Sequence, residues 1–184
     1  MHIFSMKGKT KKSGIKPLKA PPILYIPLSQ HIGAPATAVV EVGDRVKKYQ
    51  LIGKASSGLS ANIHSPISGT VREISDCMLA DGSKAPAIVI ENDWKDEEFE
   101  STAQSADLTN DEIVEKIRNS GIVGEGGAQF PTDVKYNLGD SAIHTFIING
   151  TECEPYLSAD YALMEQHTEE LLEGICTINK VLKA

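Results

Sequence analysis

Cysteines and long apolar runs are scarce in this sequence of 184 residues. Cys77, Cys153 and Cys176 are widely separated, so they form neither a disulfide framework nor a CxxC pair. No apolar run approaches the roughly 20 residues that span a bilayer, and no apolar stretch of a secretory signal follows the first lysines. We therefore expect a cytoplasmic protein without a transmembrane segment, in reducing surroundings. Peripheral attachment to the inner face of the cell membrane stays an alternative.

Acidic residues are missing from the first forty positions, although the whole chain carries a formal net charge of −7. The acidic balance argues against a general nucleic-acid partner. The first forty residues are either a solvated tail or a patch for an acidic partner or an anionic membrane surface. They contain six lysines: Lys7, Lys9, Lys11, Lys12, Lys16 and Lys19.

Composition divides the chain into four zones. Residues 1–22 are rich in Lys, Gly and Pro and are predicted to be an extended basic arm. Residues 23–91 have the pattern of a β domain, and residues 92–108 that of an acidic linker or covering loop. Residues 109–184 have a mixed α/β pattern.

Short strands bounded by turn residues fill the β zone, which predicts a small barrel or sandwich. Gly43-Asp44 and Ser68-Gly69 are predicted as turns, because Gly beside Asp or Ser adopts the positive φ that a tight turn requires. The predicted strands are ILYIPL, AVVEV, QLIGKA, ANIHSP, GTVREI and PAIVIE.

The last zone begins with a helix signal. Thr109 and Glu112 have the T-x-x-E spacing of a capping box, and Asn119-Ser120-Gly121 predicts the helix end. A glycine-rich loop follows, and AIHTFIING is then predicted to be a buried strand because it is β-branched and apolar. A long amphipathic helix to the C-terminus is predicted from the three- and four-residue spacing of Leu171, Leu172, Ile175, Ile178 and Leu182.

The loop Gly124-Glu125-Gly126-Gly127-Ala128 could cradle a phosphate, because glycines let backbone N–H groups converge on an anion. Lys135 lies nearby in sequence as a point charge for that phosphate. The spacing matches neither G-x-G-x-x-G nor the P-loop, so a flexible turn is the alternative.

A second candidate element, INGTECEPY, follows the predicted buried strand. Glu152 and Glu154 have the i, i+2 spacing that places two carboxylates on one side of an extended segment. They could hold ribose hydroxyls or a flavin edge, act as an acid/base pair, or form a solvated acidic turn. Cys153 is not expected to be a nucleophile, since no Cys/His order accompanies it, and the histidines lack metal-ligand spacing.

Five segments taken in order resemble the C subunit of the Rnf electron-transport complex, from about residue 23 to the last residue. The last two are also similar to the flavoprotein subunit of respiratory NADH dehydrogenase. Related electron-transfer proteins that serve proline reductase or cobalamin reduction share the string as well. The segments are PLSQHIGAPA, VEVGDRV, SPISGTV, GEGGAQFPTDVK and IINGTECEPYLSAD.

The resemblance implies an α+β fold in two parts. Residues 23–91 would be a barrel-sandwich hybrid like lipoyl and biotinyl domains, and residues 109–184 the first part of a Rossmann-like domain that binds FMN and NADH. Gly124, Gly126 and Gly127 would approach the flavin phosphate and ribityl chain, and Lys135 would neutralise the phosphate. By the same resemblance, Asn149 and Glu152 would contact the flavin. Phe130 and Glu154 would contact the nicotinamide nucleotide.

The implied function is FMN-dependent oxidation of NADH, with electrons passing to an iron–sulfur or ferredoxin chain alongside other subunits of a membrane-associated complex. The family's 4Fe–4S clusters have no C-x2-C-x2-C-x3-C ligand run here, so no metal site is expected. The chain has the appearance of an N-terminal fragment or short paralogue, which alone is expected to be inactive. A docking or assembly module with a vestigial flavin loop, or an electron-transfer protein serving another reductase, are the alternatives.

Three residues or segments depart from the related patterns. Glu125 stands where the NADH dehydrogenase flavoprotein has a basic residue, which disfavours a nearby phosphate. Tyr49 stands where lipoyl-type hairpins have glycine. The expected hairpin tip, Ser57-Gly58-Leu59, has no lysine to carry a lipoyl or biotinyl group.

Overall fold

The computed structural model describes residues 4–100, 108–125, 127–137, 139 and 141–184. The chain divides into two compact units. We call Ala20–Asn137 the barrel unit, and Met1–Lys19 together with Leu138–Ala184 the arm–helix unit.

Two antiparallel sheets form the barrel unit, as the strand pattern predicts. The first has the order β1-β7-β6-β3 and the second the order β2-β4-β5. Three strands have only two residues each, so the predicted strands AVVEV and ANIHSP are largely connecting backbone. The strands are β1 Ile23–Pro27, β2 Thr37–Ala38, β3 Arg45–Val46, β4 Leu51–Lys54, β5 Ile63–His64, β6 Gly69–Met78 and β7 Lys84–Asn92.

Strand β7 lies at the centre of the larger sheet and supplies much of the core. It pairs with β1 on one side and with β6 on the other, and Ile88 and Ile90 are fully buried. Burial of such side chains contributes roughly 1.5–3 kcal/mol each. From the smaller sheet, Ile52 and Ile63 belong to the same apolar cluster. One core therefore joins both sheets.

The predicted turn at Gly43 is confirmed and is held by its own side chains. Gly43 has a φ of +98°, and the Asp44 carboxylate accepts a hydrogen bond from the Glu41 amide at 2.8 Å. This turn places Val46 in the core, where it is 2% exposed.

The segment after β7 packs on the barrel. Lys48 donates its amide to the Glu97 carbonyl, and its own carbonyl accepts from the Phe99 amide. Asp93 accepts a 2.6 Å hydrogen bond from the buried Ser68 hydroxyl and pairs with Arg45 at 2.9 Å. The Ser68 hydroxyl is the main reason that the pKa of Asp93 is lowered.

The described residues of the barrel unit also form two helices: α1, Asn110–Asn119, and α2, Thr132–Tyr136. The capping box predicted at Thr109 and Glu112 is confirmed, with both reciprocal hydrogen bonds present. Helix α1 buries Ile113 and Ile117, and its end is held by an amide hydrogen bond from Ser120 to the Lys116 carbonyl.

The arm–helix unit contains α3, Ala159–Gln166, and α4, Thr168–Leu182. The predicted amphipathic C-terminal helix is confirmed as α4, whose half-buried positions include Leu171, Ile175 and Ile178. Consecutive turns span residues 7–12 of the basic arm.

The predicted buried strand AIHTFIING is wrong. Residues 141–150 form neither helix nor strand, and the Ile147 side chain is 79% exposed. Since a buried strand needs hydrogen-bonding neighbours and covered faces, apolar and β-branched composition alone does not produce one. None of the described residues pairs with this segment in a sheet.

Candidate functional site

The glycine-rich loop is closed by backbone hydrogen bonds at its two ends. Gly124 donates to the Phe130 carbonyl at 2.9 Å, and Thr132 donates to the Ile122 carbonyl at 2.9 Å. Val123 and Pro131 form an isolated antiparallel bridge between these bonds. These bonds join the two ends of the loop to each other, and the loop leads directly into α2. Gly126, one of the predicted phosphate-contacting glycines, lies outside the described residues.

Lys135 curls back from α2 over this loop. Its Nζ lies 2.7 Å from the position that a Cβ on Gly124 would occupy. The same Nζ is 5.9 Å from the centre of the Phe130 ring. Three of the predicted cofactor residues, Gly124, Phe130 and Lys135, are thus brought together. Gly127 is exposed on the loop, and a Cβ added there would meet no atom within 4 Å.

An ion pair between α1 and α2 fixes the base of the loop. The Arg118 Nε donates to Asp133 Oδ2 at 2.8 Å, and the Asp133 side chain is only 8% exposed. Sequence reasoning missed this pair because its residues lie fifteen positions apart on separate helices. Asp133 lies in the same short helix as Lys135, so the pair helps to orient the helix that carries the ammonium.

A barrel loop touches the other side of the glycine-rich loop. Ile32 donates its amide to the Ala128 carbonyl at 3.2 Å. The neighbouring His31 is buried, and its Nε2 accepts the Ala61 amide at 3.0 Å while Nδ1 lies 3.2 Å from the Ile32 carbonyl. Because Nε2 accepts, Nδ1 carries the ring proton. The imidazole therefore joins the loop at residue 32 to the one at residue 61.

The loop between β4 and β5 also packs on the end of α1. The Asn62 side-chain amide donates to the Asn119 carbonyl at 3.2 Å. Gly121 has a φ of +66°, and a Cβ there would be 2.1 Å from the Asn62 carbonyl oxygen. Only glycine fits this close approach. The region that includes the predicted hairpin tip is therefore joined to α1 at its Asn62 end.

The other predicted contacts lie in the arm–helix unit and have local roles there. Asn149 accepts hydrogen bonds from both the amide and the hydroxyl of Thr151. Glu152 Oε1 accepts the Tyr161 amide at 3.1 Å and so caps α3, whose preceding residue Ser158 provides no side-chain cap. Glu154 is exposed. Sequence reasoning missed the capping role of Glu152.

A cavity of 1010 Å³ opens in the barrel unit between the β4–β5 region and α1. None of the predicted cofactor residues lines it. Partial burial of His64 at its wall lowers the pKa of that imidazole. The cavity is lined by Tyr49, Gln50, Leu51, His64, Phe99, Glu100, Leu108, Glu112, Glu115, Lys116, Asn119 and Ser120.

The described part of the chain holds no group of three or more His, Cys, Asp or Glu side chains that could bind a metal ion. Within the same residues, no helix is long and apolar enough to cross a membrane.

Two family models match this chain. Residues 1–95 match the RnfC barrel sandwich hybrid domain. Residues 117–184 match the Nuo51 FMN-binding domain. The first covers the β zone and the second covers the glycine-rich loop, α2 and the helices of the arm–helix unit.

Several curated proteins are similar over most of the chain. It is 44% identical over 179 residues to the C subunit of a proton-translocating ferredoxin:NAD(+) oxidoreductase complex from Clostridium ljungdahlii, covering 94% of this chain and 39% of that protein. It is 39% identical over 187 residues to the C subunit of an ion-translocating oxidoreductase complex from Rhodobacter capsulatus, covering 99% of this chain and 36% of that protein. It is 37% identical over 161 residues to the C subunit of a Na(+)-translocating ferredoxin:NAD(+) oxidoreductase complex from Acetobacterium woodii, covering 85% of this chain and 36% of that protein.

The chain thus spans between 36% and 39% of the length of these three relatives. The barrel-sandwich model matches more than half of the chain, and the FMN-binding model matches the part from the last turn of α1 onward. By both its barrel and its glycine-rich loop, the chain belongs to the family of C subunits of the Rnf electron-transport complex.

Proposed function

We propose that this chain contributes the barrel and the phosphate side of a flavin site to FMN-dependent electron transfer in an Rnf-type complex. In this proposal NADH is oxidised and the electrons pass to an iron–sulfur or ferredoxin chain. Support comes from the match to an FMN-binding domain and from relatives named as ferredoxin:NAD(+) oxidoreductase subunits.

The observation that carries the proposal is the position of Lys135 beside Gly124. The bare glycine leaves the space that the ammonium occupies, so cation and loop backbone lie together. The amide N–H groups of Glu125, Gly127 and Ala128 donate no hydrogen bond to any described residue. An ammonium with several open amides suits a phosphate group, since each can donate a charge-assisted hydrogen bond. The residues present therefore fit the phosphate of FMN.

The remaining predicted contacts are assigned by resemblance. Asn149 and Glu152 would contact the flavin, and Phe130 and Glu154 would meet the nicotinamide nucleotide. Since Glu152 Oε1 accepts the Tyr161 amide, its Oε2 is the oxygen left for a ligand. When bound, FMN supplies the chemistry of accepting two electrons as hydride and releasing them singly. The chain's own part is to hold the phosphate and orient these side chains.

The proposed partners are NADH and the other subunits of a membrane-associated complex. The proposed location is cytoplasmic, peripheral on the inner face of the cell membrane. Relatives named as subunits of ion-translocating complexes favour this over service to a separate soluble reductase.

A docking role is the second candidate. The expected carrier tip, Ser57-Gly58-Leu59, has no lysine, and the nearby residue Asn62 is packed against α1. A barrel without a swinging arm can keep its fold and present a face to partner subunits. In that case the glycine-rich loop would hold no flavin.

Titration with FMN of a protein that has the full length of the relatives separates these two functions, because nuclear magnetic resonance detects weak binding and maps it to residues. Under the flavin proposal, FMN shifts the amide signals of residues 124–135. Lys135→Ala should weaken binding by about 1–3 kcal/mol, the scale of hydrogen bonds to charged groups. Lys116→Ala is the control, because Lys116 is an exposed lysine on α1. Equal affinity of the Lys135→Ala variant and the wild type would remove Lys135 from the site, and no shift of the signals of residues 124–135 would favour docking.

A further inference from the structure

Residues 4–19, the described part of the basic arm that belongs to the arm–helix unit, carry all six lysines of the first forty positions and no carboxylate. Among the described residues, none of the six forms an ion pair. Lys9, Lys12, Lys16 and Lys19 are exposed. By contrast, Lys47 and Lys48 on the barrel each pair with a glutamate. The positive charge of the arm is therefore not neutralised within the described chain.

Large apolar side chains alternate with these lysines and are exposed as well. Leu18 is 92% exposed, Phe4 is 77% exposed and Met6 is 55% exposed. Single exposed apolar residues need no explanation, but several of them within a stretch of unpaired lysines form a mixed basic and apolar surface. Lysine stems can also lie along an apolar layer while their ammonium groups stay in water.

The arm is nevertheless held in place at points along its length. Ser5 accepts the Tyr156 amide at 2.9 Å, and the Ile15 amide donates to Gln166 Oε1 at 3.2 Å. Lys11 Nζ lies 4.4 Å above the Tyr161 ring. These contacts engage the backbone and one lysine, and they leave the other exposed lysines and Leu18 facing solvent.

We propose that the basic arm binds the surface of an anionic phospholipid bilayer. Its charge complements the acidic headgroups, and Leu18 and Met6 can enter the interface between headgroups and acyl chains. A bilayer fits better than an acidic protein, because residues 14–19 have no helix or strand that would match a shaped protein surface. The proposal rests on the peripheral location proposed above and gives it a binding surface.

Vesicle flotation with the 184-residue chain tests this directly. The vesicles contain phosphatidylcholine alone, or phosphatidylcholine and phosphatidylglycerol in about equal amounts. We expect binding only to the phosphatidylglycerol vesicles, weakened when ionic strength rises from about 0.05 M to about 0.5 M. Replacing Lys9, Lys12, Lys16 and Lys19 with Gln should reduce the fraction bound at least about tenfold. Leu18→Ser should reduce it by about threefold or more, because a leucine side chain no longer enters the interface.

The matched control has the same change in net charge elsewhere: Gln at Lys54, Lys84, Lys95 and Lys116, four exposed lysines of the barrel unit. Its binding should equal that of the wild type. Equal loss in both quadruple variants, binding to phosphatidylcholine alone, or no binding at all would overturn the proposal. The last outcome would favour an acidic protein partner. The assay needs neither flavin nor other subunits, so the lipid and flavin proposals can fail separately.

Discussion

The ammonium of Lys135 occupies space that the absence of a side chain on Gly124 leaves open, with Nζ 2.7 Å from the position of a Cβ there. Gly124→Ala should therefore move the ammonium, and it should cost little stability because the end of a lysine side chain is flexible. In a protein that has the full length of the relatives, we expect FMN binding to weaken by about 1–2 kcal/mol. Gly174→Ala is the control, because Gly174 lies in α4, outside the glycine-rich loop, and a Cβ there meets nothing within 4 Å. Titration calorimetry or NMR titration of both variants gives the comparison, and equal affinities would contradict the assigned geometry.

The 184-residue chain is expected to bind FMN weakly or not at all. The segment before Asn149 forms no strand, and Ile147 is 79% exposed, so the predicted flavin contacts of the arm–helix unit lack a sheet behind them. Quenching of FMN fluorescence measures the affinity. Stoichiometric binding below about 1 μM, equivalent to roughly 8 kcal/mol, would show that the chain already holds a complete site.

Arg118→Ala should destabilise the barrel unit by about 1–2 kcal/mol, since it leaves the buried Asp133 carboxylate without its ion-pair partner. Arg72→Ala is a close control. Both arginine side chains are 59% exposed, but the partner Glu91 is 46% exposed whereas Asp133 is 8% exposed. We expect about 0–1 kcal/mol for Arg72→Ala. Urea denaturation measures both, and equal losses would show that burial of the partner does not matter here.

Tyr49 has a φ of +70°, a left-handed conformation that costs a residue with a Cβ roughly 1–2 kcal/mol. Tyr49→Gly removes this strain together with the ring, whereas Tyr49→Ala removes the ring alone. The glycine variant should therefore be more stable than the alanine variant by about 1 kcal/mol. Thermal unfolding of both proteins tests it. An alanine variant as stable as the glycine variant would mean that the backbone is relaxed.

The barrel should carry no lipoyl or biotinyl group. The bend at Ser57-Gly58-Leu59 between β4 and β5 has no amine, and Lys54 is the last residue of β4 rather than part of the tip. Intact-protein mass spectrometry after expression in a host with active lipoate and biotin ligases would reveal either group. A mass increase mapped to residues 51–64 would restore the carrier hypothesis.

Local signals in the sequence predicted much of the local structure, but the turn predicted at Ser68-Gly69 is wrong, because Gly69 is the first residue of β6. The capping box at Thr109 and the turn at Gly43 were confirmed, since each depends on residues within a few positions. The barrel strands followed from their alternating apolar residues, although β2 and β5 are shorter than predicted. The grouping of Gly124, Phe130 and Lys135 could also be predicted, because all three lie within one short stretch of sequence.

Interactions between residues far apart in the chain could not be predicted from the sequence. The Arg118–Asp133 pair, the Glu152 cap on α3 and the hydrogen bond from Ile32 to Ala128 each depend on how separate elements pack. For the segment AIHTFIING, by contrast, the sequence predicted an element that does not form. Its composition favours a strand, but a strand forms only when partner strands are beside it.

The contact between Asn62 and Gly121 limits how much the loop between β4 and β5 can vary in length. An added residue between β4 and β5 would push the Asn62 carbonyl, already 2.1 Å from where a Cβ on Gly121 would lie, into the backbone at the end of α1. The β6–β7 hairpin is different, because its connecting residues Leu79–Ser83 are half-buried or exposed and form their hydrogen bonds among themselves. Insertions, epitope tags and fluorescent labels therefore belong in the β6–β7 connection, where the barrel can accept them without disturbing its junction with α1.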